Sequence, residues 1–463
     1  MTEGEQDSLR ILARVQEFLL LFAGNDTMRR MEATSRRSFL SQAGGLLSAG
    51  LITAVLRPKA SAGVEPAIRA AGNRPARLLA SDEDFWAEIQ RAFTVDRSLI
   101  NLNNGGTSPA PGVAMEALRR FDEYSNHAPV VTMWRHLQPE YETVRARLAL
   151  SFGCQPDEIA ITRNATESLD NVIFGLELQP GDEVLTTDQD YGSMLAALHQ
   201  RELREGIVVK KVRVPTPAPS QDALLEAFQA GLTDKTRAIL ICHVVNLTGQ
   251  IYPVRRVVDL ARPLGIEVIV DGAHSYAHFP FERDDLQCDY FGTSLHKWLC
   301  APIGSGMLYV NRRKIEKVWP LFGQGEPRSD DIRKYELIGT HPAGHRLAIS
   351  EALTFHESIG AERKAARLRY LRDRWADRFA GDPRVTFHAP LNDVDSCAIA
   401  TVGLENVEPG DLAQHLFKEH RIIVTAIQHD DVQGIRVTPS VYTTLREVDM
   451  FADALSQALE HGV

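Results

Sequence analysis

The chain has 463 residues, of which 44% are hydrophobic and 24% are charged, and its formal net charge is −10 at pH 7. These values predict two or three soluble globular domains and exclude a disordered, collagen-like or multi-span membrane protein. The acidic balance also argues against nucleic acid as a partner, because phosphate binding needs clustered lysine and arginine. Five cysteines, none in a C-x-x-C pair, indicate neither a disulfide framework nor a zinc knuckle.

Residues 1–62 have the composition of an export leader rather than of a folded domain. Arg36 and Arg37 precede a weakly apolar run at 44–56, and an Ala-Ser-Ala triplet ends at Ala62. The run is too short for a stable membrane span, which needs about 20 apolar residues. This order predicts a twin-arginine leader, cut near Ala62, that brings the protein to the twin-arginine export machinery and the periplasm. The alternative is a chance Arg-Arg pair in a tail, which would leave the protein in the cytoplasm.

After the leader, segments typical of helices alternate with segments typical of strands. Continuous apolar runs at 238–242 and 268–270 are typical of strands that are buried on both faces of a parallel sheet. The patterns first predict a helix at 81–93, a turn-rich loop at 101–109 and a helix at 139–152. Strands at 158–162, 183–186, 207–214, 238–242, 267–270 and 290–293 then alternate with helices at 168–178, 193–205, 221–230 and 254–264. The last part of the chain is predicted to contain a long broken helix at 345–379, strands at 396–402, 422–425 and 434–437, and helices at 411–420 and 447–461.

This alternation predicts an α/β fold with a large, doubly wound, mostly parallel sheet domain and a smaller C-terminal α+β domain. We place the large domain at 101–340 and the small domain at 341–463. The segment at 63–100 is expected to pack on the small domain.

Residues able to do chemistry follow three of the predicted strands. The segments are Arg163-Asn164-Ala165-Thr166-Glu167, Asp271-Gly272-Ala273-His274 and Ser294-Leu295-His296-Lys297-Trp298. Ligands of open α/β sheets bind at the carboxyl ends of the strands. There a buried lysine can form a Schiff base, an acid can keep a pyridine nitrogen protonated, and a helix N-terminus can bind phosphate. Each segment alone is ordinary, but together in this order they indicate pyridoxal 5'-phosphate (PLP).

The same segments resemble the class V aminotransferase family of fold-type I PLP enzymes. The resemblance covers about 101–455, and within it Asp190-Tyr191-Gly192 and the loop at 101–109 are most similar to the isopenicillin N epimerase-like branch. It implies the fold-type I PLP-dependent transferase fold and a homodimer. Further family motifs occur in the expected order at Arg163–Thr166, Gly181–Val184, Thr248–Gln250, Ile338–Thr340 and Arg436–Pro439.

The resemblance implies roles around the cofactor ring. Lys297 would form the Schiff base and Asp271 would bind the pyridine nitrogen, which makes these two the catalytic residues. Tyr191 would stack on the ring, as an aromatic side chain can. His274 and Asn246 would lie near the ring's phenolic oxygen.

The resemblance also implies how the cofactor phosphate is held. Ala165 and Thr166 would bind it through backbone and hydroxyl, at the start of a helix. Ser294 and His296 would add further donors. Thr340 would reach the phosphate of the partner subunit, which is the feature that implies a homodimer.

Arg436 would pair with the substrate carboxylate, for which the arginine fork is well shaped. Desulfurases of this family carry a nucleophilic cysteine in the loop before that arginine. The corresponding segment here, 425–435, has no cysteine, and Cys397 lies on an earlier apolar strand. A desulfurase is therefore disfavoured, whereas a carbon–sulfur lyase that needs no protein nucleophile stays possible.

The implied reaction proceeds through an external aldimine and a quinonoid of an amino-group-bearing substrate. Its outcome stays open between epimerisation, transamination, elimination and oxidative decarboxylation. Because the leader predicts export, we expect a substrate found outside the cytoplasm, such as a peptide-borne or siderophore-borne amino acid in a secreted metabolite. The alternative is a free amino acid. The loop at 101–109 would gate the mouth of the site.

Overall fold

The computed structural model describes residues 64–323 and 325–463. The predicted leader lies outside the described residues. Within the described ranges, no helix is both long enough and apolar enough to cross a membrane.

The described part of the chain contains thirteen strands. They are β1 (Ile100–Asn101), β2 (Ile159–Thr162), β3 (Glu183–Thr187), β4 (Val208–Val212), β5 (Thr236–Cys242), β6 (Glu267–Asp271), β7 (Tyr290–Ser294), β8 (Gly306–Val310), β9 (Val385–Phe387), β10 (Ala400–Leu404), β11 (Ile422–Ile423), β12 (Thr425–His429) and β13 (Val432–Val437).

Helices occupy most of the connections between these strands. The α-helices are α1 (Glu65–Ala71), α2 (Ala76–Leu79), α3 (Glu83–Arg91), α4 (Gly112–His127), α5 (Pro129–Val131), α6 (Tyr141–Phe152), α7 (Ala165–Gly175), α8 (Gly192–Glu205), α9 (Gln221–Gly231), α10 (Val254–Ala261), α11 (Arg283–Leu286), α12 (Gly344–Leu347), α13 (Ile349–Ile359), α14 (Ala361–Ala376), α15 (Pro409–His420) and α16 (Leu445–His461). A π-helical turn, Thr132–Leu137, lies between α5 and α6.

A seven-stranded sheet with the order β2-β8-β7-β6-β5-β3-β4 forms the larger half of the fold. The five strands from β7 to β4 are parallel to one another, and β8 runs antiparallel to both of its neighbours. Arg237 is the only exposed residue of β5, as expected for a strand covered on both faces. The prediction of a mostly parallel α/β sheet is therefore confirmed, and β8 is a strand that the sequence patterns did not predict.

A four-stranded antiparallel sheet with the order β12-β13-β10-β9 forms the smaller half. Its core joins Val402 and Ile435 of the sheet to Trp375 of α14 and Phe451 of α16. The segment at 425–435, expected to be mainly a loop, is instead a hairpin in which β12 pairs with β13 from Thr425 to His429. The alternation of Gln428 and Gln433 with buried Ile427 and Val432 is the two-residue period of a strand.

The segment at 64–100 contacts elements from the C-terminal part of the chain. β1 pairs in parallel with β11, so Ile100 lies opposite Ile422. Arg367 of α14 is fully buried, donates 2.9 Å to the carbonyl of Ala80 and lies over the ring of Trp86. The predicted domain boundaries at 100 and 340 stay predictions, since all the described residues fall in one compact unit.

Candidate active site

A cavity of about 270 Å³ lies at the carboxyl ends of β5, β6 and β7. Ten of the eleven predicted site residues line it, and Thr340 is the one that does not. This is the edge of the sheet at which ligands of α/β proteins bind. The ten are Ala165, Thr166, Tyr191, Asn246, Asp271, His274, Ser294, His296, Lys297 and Arg436.

The lysine, the acid and a histidine of the predicted ring site lie together. Lys297 Nζ is 3.2 Å from His274 Nε2. Asp271, the last residue of β6, accepts a 2.9 Å hydrogen bond at Oδ1 from the backbone N–H of Ala273. That bond orients the carboxyl group at the strand end and leaves its other oxygen for a ligand.

Burial sets the protonation of these three groups. It lowers the pKa of Lys297 to about 8, although the nearby Asp271 opposes the change. It raises the pKa of Asp271 to about 6, and it lowers that of His274 well below the usual range. His274 is therefore neutral at pH 7 and can accept a hydrogen bond from the lysine. A lysine whose pKa lies this low is prepared for Schiff-base chemistry.

The N-terminus of α7 forms the opposite end of the cavity. Asn164 caps the helix by accepting 2.8 Å from the N–H of Glu167, which leaves the first helical turn facing the cavity. The N–H of Ala165 donates 2.9 Å to Ser294 Oγ at the end of β7. A Cβ at Gly306 of β8 would lie 2.5 Å from the backbone nitrogen of Asn164, so only glycine lets β8 pass this turn. The result is a helix terminus with a hydroxyl beside it, suited to phosphate.

Arg436 of β13 reaches the same cavity from the small sheet. Its Nη1 donates 2.9 Å to the carbonyl of Asn246, and its Nη2 donates 3.1 Å to Asn103 Oδ1. Among the described residues no carboxylate forms an ion pair with it, and burial lowers its pKa to about 10. A buried cation with only neutral partners is a site for an anionic ligand.

The loop at 101–109 is tied to the end of β13 rather than projecting freely. Asn104 is 1% exposed and donates 3.0 Å to the carbonyl of Thr438, while its Oδ1 accepts 2.7 Å from the Tyr442 hydroxyl. The N–H of Gly105 donates 2.9 Å to Thr438 Oγ1. The loop thus forms a wall of the cavity, and gating by it stays a prediction.

Thr340 is exposed and lines a different cavity, of about 580 Å³. This larger cavity contains Arg145 and Glu336, which form a buried ion pair, but neither Lys297 nor Asp271. We assign the chemistry to the smaller cavity because the reactive groups converge there. Thr340 could serve a cofactor only from another subunit, as the resemblance implies.

The polar groups of the smaller cavity fit PLP. Asn246 Oδ1, His274 Nδ1 and Arg436 Nε are buried and have no hydrogen-bond partner among the described residues. Buried polar atoms are normally paired, so these three mark where a ligand would bind. In the same cavity, the α7 terminus suits the phosphate of PLP, Asp271 suits its pyridine nitrogen and Lys297 suits its aldehyde.

Comparison with known proteins identifies the family. The profile of the family described as Aminotransferase class-V matches residues 100–451. The chain is a class V aminotransferase family member. As in that family, its cofactor is PLP, and the predicted family and fold class are confirmed.

Relatives within this class V family differ in activity. An isopenicillin N epimerase from Streptomyces clavuligerus is 28% identical over 387 residues, covering 80% of this chain and 97% of the relative. A cysteine desulfurase from Haloferax volcanii is 28% identical over 390 residues, covering 78% and 90%. The likeness therefore establishes a PLP enzyme of this family and leaves its specific reaction, desulfuration included, undecided.

Solved structures of cysteine desulfurases share the fold. The cysteine desulfurase CsdA from Escherichia coli superposes with a TM-score of 0.70 at 24% identity, covering 81% of this chain and 98% of CsdA. A desulfurase from Thermococcus onnurineus gives 0.72 at 21% identity, covering 81% and 98%. At these identities the likeness concerns the fold alone.

Two parts of the site were not assigned from the sequence. Asn103 contacts Arg436, and its only signal was its place in the turn-rich loop. Cys242 ends β5 beside Asp271 and lines the cavity, and its apolar strand gave no sign of this. The roles of the ten predicted residues stay predictions, although their convergence on one cavity agrees with them.

Proposed function

We propose that this class V enzyme acts on an amino acid that presents a free amine and a carboxylate, with transamination or epimerisation as the outcome. The supporting observation is that Lys297, Asp271 and Arg436 face one cavity from three different strand ends. An amine-reactive group, an acid for the pyridine nitrogen and an unpaired cation are what such a substrate needs. A binding protein that had only kept the fold would not need all three.

The residues that would hold PLP follow from the site. Lys297 would bind its aldehyde carbon, Asp271 its pyridine nitrogen, and the α7 terminus with Ser294 its phosphate. When bound, PLP supplies an electron sink that makes the Cα proton of the attached amine acidic.

This chain's own groups would then move that proton. Lys297 Nζ, with a pKa of about 8, can accept a proton from Cα and return it, since a group whose pKa lies near neutral pH transfers protons in both directions. Neutral His274 at 3.2 Å keeps the amine oriented without adding a charge. Arg436 would hold the carboxylate, which fixes the Cα–H bond relative to the lysine.

A desulfurase is the less favoured alternative. The hairpin at 425–437, where that branch carries its nucleophile, has no cysteine and is closed by a tight turn at Asp430 and Asp431. Cys242 does line the cavity, but burial raises the pKa of its thiol well above the usual value. A thiol held neutral is a poor nucleophile.

The expected substrate extends beyond the cavity. The cavity volume of about 270 Å³ is slightly below that of usual ligand pockets, which span roughly 300–1,000 Å³. With PLP in place, only the amine and carboxylate of a substrate would fit inside, and its remainder would project outward past Tyr191, which is 43% exposed. This geometry supports a peptide-borne or siderophore-borne amino acid over a small free one.

Export and dimerisation are further parts of the proposal. Export rests on the sequence of residues 1–62, with its Arg36-Arg37 pair. Replacing both arginines with lysine should retain the uncut protein in the cytoplasm, and periplasmic recovery of that variant would refute the leader. Dimerisation rests on exposed Thr340, and light scattering of the purified protein would test it.

One experiment tests the reaction itself. The PLP-loaded enzyme is incubated in D2O with free amino acids, with L-cysteine and with glutamyl peptides that keep a free amine. We expect deuterium at Cα, or transfer of the amine to the bound PLP that leaves the substrate as a 2-oxo acid, most rapidly with the peptides. Formation of alanine from L-cysteine, with the sulfur left as a persulfide on the protein, would refute the proposal in favour of a desulfurase.

A further inference from the structure

Asp190 is a buried carboxylate that the functions assigned so far do not use. It is 4% exposed and immediately precedes Tyr191. Among the described residues, no arginine, lysine or histidine forms an ion pair with it. It does not line the cavity, so any effect on the cofactor must pass through another residue.

Four neutral donors satisfy this carboxylate. Asp190 Oδ2 accepts from the Thr186 hydroxyl at 2.7 Å, from the Thr187 N–H at 2.8 Å and from the Thr187 hydroxyl at 2.9 Å. Asp190 Oδ1 accepts from the N–H of Cys242 at 2.8 Å. These bonds connect the carboxyl ends of the neighbouring strands β3 and β5 through one side chain.

Both strand ends lead directly to the cavity. Tyr191 is the residue before α8, and its carbonyl accepts from the N–H of Met194 at 2.9 Å. Its backbone is therefore held by the helix on one side and by Asp190 on the other. Cys242, on the far side of the carboxylate, lines the cavity and lies opposite Asp271 in the register of β5 and β6.

We propose that Asp190 is a positioning residue for the cofactor, because its carboxylate fixes Tyr191 in the wall of the cavity that receives the PLP ring. The inference rests on the proposed stacking role of Tyr191. Both carboxylate oxygens are needed for it, since one binds β3 and the other binds β5. The NH2 of an Asp190→Asn variant must face either the N–H of Thr187 or the N–H of Cys242, and neither can accept, so one of the two backbone hydrogen bonds is lost.

The test is a measurement of PLP affinity. Apoprotein is titrated with PLP, and the visible circular dichroism of the bound cofactor is recorded, since that signal depends on how the ring is held. Asp190→Asn should bind PLP about tenfold more weakly and with a reduced visible signal, the loss expected for hydrogen bonds to a carboxylate. Unchanged affinity and signal in this variant would overturn the proposal.

A double-mutant cycle shows whether the effect passes through Tyr191. Tyr191→Ala should also weaken PLP binding, and Asp190→Asn should add little to it in the double variant. If the two effects multiply instead, Asp190 does not act through Tyr191 and the proposal fails. Asp188→Asn is the matched control: this neighbouring carboxylate does not line the cavity, and its removal should change neither readout.

Two measurements separate this proposal from folding and from the proposed function. Thermal unfolding of the apoprotein reports whether Asp190→Asn folds; if it does not, Thr186→Val removes a single donor and should weaken PLP binding about twofold to threefold. An unchanged affinity in Thr186→Val would then overturn the proposal. Borohydride should still fix PLP on Lys297 in Asp190→Asn, so failure of the positioning role leaves the assigned chemistry intact.

Discussion

Replacing Arg436 with methionine should weaken substrate binding and stabilise the apoprotein at the same time. Burial lowers the pKa of Arg436 from the high value usual for arginine to about 10. Since pH 7 lies below both values, the cation is present in the folded and unfolded chains, and the folded chain carries the whole cost, about 3 kcal/mol. That cost would be relieved only as the pH rises past 10.

Two hydrogen bonds offset part of this cost. Arg436 donates to the carbonyl of Asn246 and to Asn103 Oδ1, and each bond contributes about 1 kcal/mol. Methionine fills a similar volume without charge, so the apoprotein should gain about 1 kcal/mol, or roughly 1–2 °C in Tm. Loss of the cation from a buried pair with a substrate carboxylate costs about 3–5 kcal/mol. We therefore expect kcat/KM to fall by about 100-fold to 5,000-fold.

The assay compares amines with and without a carboxylate on the PLP-loaded enzyme. Arg436→Met should lose activity toward the carboxylate-bearing amine and keep that toward the amine lacking it. Arg372→Met is the control: this arginine is also buried, but it donates to Asp373 Oδ1, Ser396 Oγ and the carbonyl of Cys397, away from the cavity. Arg372→Met should lower the stability of the protein without changing the ratio of its activities toward the two amines. Equal losses toward both amines in Arg436→Met would refute the carboxylate role.

Three further changes test the cofactor site. Lys297→Ala should abolish borohydride fixation of PLP and lower turnover by at least about 1,000-fold while the fold persists, and parental turnover would contradict the assignment. Asp271 raises the pKa of Lys297, so Asp271→Asn should move the pH midpoint of PLP capture, followed by absorbance, below about 8; an upward movement would contradict the charge pairing. Gly306→Ala places a Cβ 2.5 Å from the Asn164 nitrogen and should weaken PLP binding about tenfold in an equilibrium titration, whereas parental affinity would show that the turn can shift freely.

Ten of the eleven predicted site residues line one cavity, although their roles stay predictions, whereas strands such as β8 were not predicted. Strands such as β5 and β6 are long apolar runs that end in polar residues, so the pattern and the topology both place those residues at one sheet edge. β8 was not predicted because Gly306–Val310 follows a loop rich in glycine and proline and does not alternate apolar with polar residues. The first strand of the hairpin at 425–437 was not predicted because the polar turn that follows it has the composition of a loop.

Contacts between distant segments could not be predicted. The bond from Arg436 to Asn103 joins residues more than 300 positions apart, and neither side chain signals the other. Asp190 was quoted only as part of a motif, since its four donors come from two strands whose neighbourhood depends on the sheet order. Sequence patterns identify residues at strand ends, whereas the folded chain decides which of those ends meet.

The pairing of β1 with β11 has a consequence for the timing of synthesis. Ile100 and Ile422 are more than 300 residues apart, which corresponds to roughly 15–60 s of translation. Until the ribosome has made the second partner, the loop that carries Asn103 has no strand beside it and the cavity lacks a wall. A chain interrupted before its last fifty residues also lacks both Arg436 and the α16 helix that packs on the small sheet. Only a chain synthesised almost to its end can therefore enclose the cofactor.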